Sequence, residues 1–65
     1  MTEAEQAFRE AERYCRERVA ELENLIPDTD EEWERQRGRI HALEEAAAHF
    51  KERAAEAFQE ARTQE

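Results

Sequence analysis

Sixty-five residues hold one glycine, one proline and one cysteine. A lone Gly38 cannot build the glycine-rich loop that cradles phosphates in nucleotide-binding proteins. A lone Cys15 excludes an intrachain disulfide and points to a reducing compartment. No apolar run approaches the roughly 20 residues of a membrane span, and no basic-then-apolar leader opens the chain. A cytoplasmic protein is expected. Aromatic residues are also scarce, at 8%. A chain this short buries only about 60% of the surface its unfolded form exposes, so its core needs help from packing partners.

What the chain has in abundance is charge. Asp and Glu number 18 against 10 Lys and Arg, for a net charge of −8. That balance repels nucleic acid and anionic membranes and favours a basic protein partner. Neither direct nucleic-acid binding nor membrane binding is expected.

The only forced break in a long helix-forming sequence is Ile26-Pro27-Asp28-Thr29. Proline lacks an amide proton and disfavours helix at the residue before it. Thr29 then offers a capping hydroxyl, with Glu32 three residues on, the spacing of a capping box. Thr2 and Glu5 repeat that spacing at the start of the chain. One domain spanning 1–65 is expected: a helix over about 3–26, a corner at 27–29 and a helix over about 30–62. The fold class is all-α, an antiparallel two-helix hairpin with a coiled-coil-like seam.

The inward stripe of the first helix reads Ala4, Phe8, Ala11, Cys15, Arg18, Leu22, Leu25, in alternating steps of four and three. Arg18 would snorkel, laying its methylenes on apolar surface. The second helix reads Trp33, Gln36, Ile40, Leu43, Ala47, Phe50, Ala54, Ala57, Ala61. Folding back at the corner pairs residues whose numbers sum to about 58 (Leu25 with Trp33, Cys15 with Leu43, Phe8 with Phe50, Ala4 with Ala54). Gly38 marks a kink, a close backbone contact or a break into two helices, or is neutral drift. Tyr14, Val19, Ile26 and Phe58 are left over, so a homodimer closing a four-helix bundle, or a target completing the core, is expected.

Catalytic chemistry finds no support. His41, Glu45 and His49 recur every four residues, but the Glu-x-x-His motif of di-metal bundles is absent. Cys15 has no histidine near it in sequence to act as a base and reads as a small buried hydrophobe. No metal, no other cofactor and no enzymatic activity is expected. Arg35, Arg37 and Arg39 alternate around the helix and form no single basic patch.

The acids are more suggestive. Asp28, Asp30, Glu31, Glu32 and Glu34 place five carboxylates around Trp33, more than helix capping requires. Trp33 reads as a packing plug against Leu25 in preference to a binding anchor. Glu45, Glu52, Glu56 and Glu60 run down one side of the second helix, those four apart being about 6 Å apart along the axis, a separation like that of neighbouring phosphates along a strand. A solvated face is the plain reading of these acids; imitation of a phosphate backbone is the sharper one.

In size, acidity and helical character, and in the acids just named, the chain resembles the small phage-encoded inhibitors of bacterial defence, notably anti-CRISPR proteins that act as DNA mimics. The resemblance is one of composition over the whole chain and brings no site residues with it. It implies an inhibitor that blocks the basic channel of a target such as a CRISPR effector. The alternative is a structural adaptor or antitoxin-like protein that binds through its apolar stripe.

Overall fold

Thr2 and Thr29 each open a helix. In the computed structural model, which describes residues 2–63, Thr2 Oγ1 accepts the Glu5 amide at 3.1 Å and Thr29 Oγ1 accepts the Glu32 amide at 3.1 Å. Each hydroxyl satisfies a first-turn amide that has no partner within the helix. Helix α1 spans Glu3–Glu23 and α2 spans Asp30–Thr63. They pack antiparallel as a hairpin whose principal extents are 55 × 14 × 10 Å. The long dimension is set by α2, whose 34 residues at 1.5 Å each reach about 50 Å.

The first helix ends three residues before the expected boundary at residue 26. Asn24 takes the C-cap, its amide donating to the Ala20 and Glu21 carbonyls. Pro27 has no amide to close onto Glu23, and the residue before a proline is biased to extended backbone. The Leu22 carbonyl accepts the Leu25 amide at 3.1 Å, and a side chain from the other helix adds to it. Gln36 donates through Nε2 to the Leu22 carbonyl and, at 3.1 Å, to the Leu25 carbonyl. Gln36 is buried, so these bonds also remove the cost of placing an amide in the seam. The corner is therefore 24–29, and it is pinned by a polar residue from within the core.

The pairing rule holds where contacts report it. Phe8 and Phe50 stack with ring centroids 6.4 Å apart, and Gln36 reaches Leu22; both pairs sum to 58. The α2 stripe is borne out from Gln36 to Ala61, every member being buried or half-buried. Ala47 is fully covered, as small residues must be where helices approach closely.

The α1 stripe needs three corrections. At its start the buried residue is Glu5 and not Ala4. The Glu5 side chain is only 4% exposed, and its carboxylate lies 3.4 Å from Arg9 Nε one turn on. In the middle, Arg18 is exposed and paired with Glu21 at 2.7 Å, while Val19 turns inward. At the end, Leu25 leaves the seam because the helix has already stopped; it is exposed, as are Ile26 and Trp33, so the expected Leu25–Trp33 layer does not form. The first two shifts move the stripe by one position, about 100° around the helix.

Helix α2 passes through Gly38 without a break. A β-carbon built there meets nothing within 4 Å, so the glycine serves neither a kink nor a close approach. Its only effect is backbone entropy. Gly38→Ala is expected to stabilise the hairpin by about 0.5–1 kcal/mol and raise Tm by a few degrees in a thermal melt followed by circular dichroism.

Candidate acidic interface

Because α2 runs unbroken, the angular position of each acid follows from 100° per residue. Glu45, Glu52, Glu56 and Glu60 fall within an arc of about 80°, on the side of α2 opposite the seam. All four are exposed. Asp30, Glu31 and Glu34, from the corner, fall within about 60° of Glu45 on the same outward side. The sequence suggested two separate acidic features; a continuous helix makes them two ends of one face. Between them lies a gap from Glu34 to Glu45, roughly 16 Å, occupied on that face by Gly38 and His41.

The carboxylates differ in how free they are. Glu32 reaches back to the Asp28 amide at 3.1 Å, closing the corner as a capping box does. It is structural, and it lies on the seam side of the wheel, so the five carboxylates around Trp33 do not act as one group. Glu45 Oε1 lies 2.9 Å from His41 Nε2, one turn back on the same helix. Glu56 pairs with Arg53 at 3.2 Å. Such exposed pairs are worth a few tenths of a kcal/mol and exchange readily for an incoming cation. Asp28, Asp30, Glu31 and Glu34 are exposed, and Trp33 beside them is 47% exposed.

Charge density bounds what this face does. Glu52, Glu56 and Glu60 give one negative charge per 6 Å of axis, against one per 3.4 Å for a single DNA strand. One ridge therefore carries a little over half the linear charge of one strand. Its carboxylates stand at one-turn spacing.

The structure also brings together a group the sequence did not single out. Leu22, Leu25, Ile26 and Pro27 line an open hollow at the corner, rimmed by Arg35 and Arg39. Two of the three alternating arginines thus share one site, being four apart, while Arg37 is not among the lining residues. The signal available in the sequence was the Asn24 that ends α1 early and frees Leu25 and Ile26. Elsewhere, Cys15 is buried and unbonded. Among the described residues no cluster of three or more His, Cys, Asp or Glu side chains is arranged to hold a metal ion, and no helix is long and apolar enough to cross a membrane. No family model, no curated protein and no solved structure matches the chain.

Proposed function

We propose that this chain is a non-catalytic, cytoplasmic binding module that engages a basic protein surface through the outward face of α2. The fitting target is a protein whose channel holds nucleic acid, such as a CRISPR effector, and the consequence of binding is its inhibition. The observation that supports this reading is the single acidic face, with Asp30, Glu31 and Glu34 at one end and Glu45, Glu52, Glu56 and Glu60 at the other, carried on one rigid helix. A rigid row of carboxylates loses little entropy when it meets a complementary row of bases. Two copies pairing into a four-helix bundle would give the module a fuller core than one hairpin supplies.

A second reading is favoured by the corner hollow. Leu25 and Ile26, the latter 85% exposed, would anchor an apolar partner helix, as in an adaptor or antitoxin-like protein. Salt separates the two. Capture of the partner from its native host at about 50 and about 200 mM salt should show at least a tenfold loss of recovery if charge leads the binding. Recovery that is unchanged by salt, and lost on Ile26→Asp, would favour the adaptor.

A further inference from the structure

The hairpin exposes 5543 Å², about 1,200 Å² more than the ~4,300 Å² presented by a typical folded monomer of 7.7 kDa. A standard interface removes about 800 Å² from each partner, so the excess is of the size that a second molecule covers. The position of the exposed aromatics on α2 indicates where. Trp33 and Phe58 are 47% and 46% exposed. Twenty-five residues separate them, so they stand within about 20° of one another on the helix and about 37 Å apart along it. The exposed Lys51 lies along the same line, which the seam residues Ile40 and Ala47 border, and Ala47 and Ala48 edge an open hollow between α2 and the Val19–Ala20 turn of α1.

We propose that two copies pair antiparallel along this flank of α2, about a two-fold axis near residues 45–46, with Trp33 of each copy packed against Phe58 of its partner. The register follows from symmetry. An axis midway between Trp33 and Phe58 superimposes each on the position facing the other, as an isologous contact requires. It also sets the small, exposed Ala48 near the centre, beside the fully covered Ala47 of the seam, and brings Glu44 within about one turn of the partner's Lys51, opposite in sign. The end of α2 that projects past α1 becomes covered, because antiparallel copies lay each tail beside the other's corner. The acidic face, about 100° or more around α2 from Trp33 except for Asp30 at about 60°, stays outward, so the pair presents two such ridges.

This geometry rests on the two-copy reading above and is independent of what the acids bind. Trp33 is the only tryptophan, and within one chain Phe58 is too distant to touch it, so a change in its emission that follows both concentration and Phe58→Ala reports the contact across copies. Sedimentation equilibrium of the full chain from about 1 to 500 µM is expected to show a monomer–dimer equilibrium, with Trp33 emission moving to longer wavelength on dilution at the same midpoint. Phe58→Ala should move the emission likewise at fixed concentration and weaken association at least tenfold. A monomer throughout the range overturns pairing altogether. A dimer whose Trp33 emission ignores both dilution and Phe58→Ala overturns this register while leaving pairing intact. If Phe58→Ala loses helix, the dilution series of the unaltered protein decides alone.

Discussion

Phe50→Asp is expected to abolish the helical circular dichroism signal at 25 °C. Phe50 stacks on Phe8 toward the open end of the seam, and Arg53 lies over the Phe8 ring at 5.5 Å, so the Phe8 ring holds two side chains of α2. Removing a large aromatic side chain from a fully buried site costs roughly 3 kcal/mol or more; Phe50 is half-buried, so its loss costs part of that, and placing a carboxylate there adds desolvation. A chain below about 70 residues rarely holds more than ~3–5 kcal/mol of stability from its core, so the loss is comparable to the whole. Phe50→Leu keeps apolar volume and should retain the fold with a lower Tm. A Phe50→Asp protein that still melts cooperatively within about 5 °C of the parent would mean that the Phe8–Phe50 layer is peripheral.

The second large effect concerns binding. Glu52→Lys, Glu56→Lys and Glu60→Lys together should eliminate target binding at unchanged fold. Each substitution adds two positive charges' worth of difference, taking the net charge from −8 to −2 and reversing the ridge itself. Stability should barely move. All three positions are exposed, Lys–Lys repulsion at one-turn spacing replaces Glu–Glu repulsion of similar size, and among the described residues only the exposed Arg53–Glu56 pair is lost, worth a few tenths of a kcal/mol. Lysines near a helix C-terminus also interact favourably with its dipole. Loss of binding with an unaltered melt therefore reports the ridge. Full binding by the triple variant would move attention to the corner hollow.

Much of the fold could be read from the chain because α2 obeys one period without a slip. Eight seam positions from Gln36 to Ala61 follow from alternating steps of three and four, and that alone sets which face is acidic. The α1 stripe was harder to read because its small and charged residues carry little hydrophobic contrast. Ala4 and Glu5 differ by one position, and the Glu5 carboxylate finds Arg9, so burial of a charged side chain went against the pattern. Gln36 was correctly placed in the seam, but its role was not visible: the Leu22 carbonyl, which also accepts the Leu25 amide, and the Leu25 carbonyl turn toward it only once α1 has stopped at Glu23. That early stop also explains why the Leu25–Trp33 layer failed and why Leu25 and Ile26 became surface. For the acids, the sequence gives spacing but not continuity. Whether corner and ridge form one face depended on Gly38, and an unbroken helix at Gly38 decides it.

The most direct test of the central claim, that the acidic face occupies a basic nucleic-acid site, is competition. The target recovered from the native host is loaded with its own labelled DNA or RNA and titrated with this protein while anisotropy is followed. The account predicts complete displacement of the labelled strand, steepest at low salt, with the triple lysine variant displacing none. A ternary complex, with the strand retained and this protein bound beside it, would contradict the account.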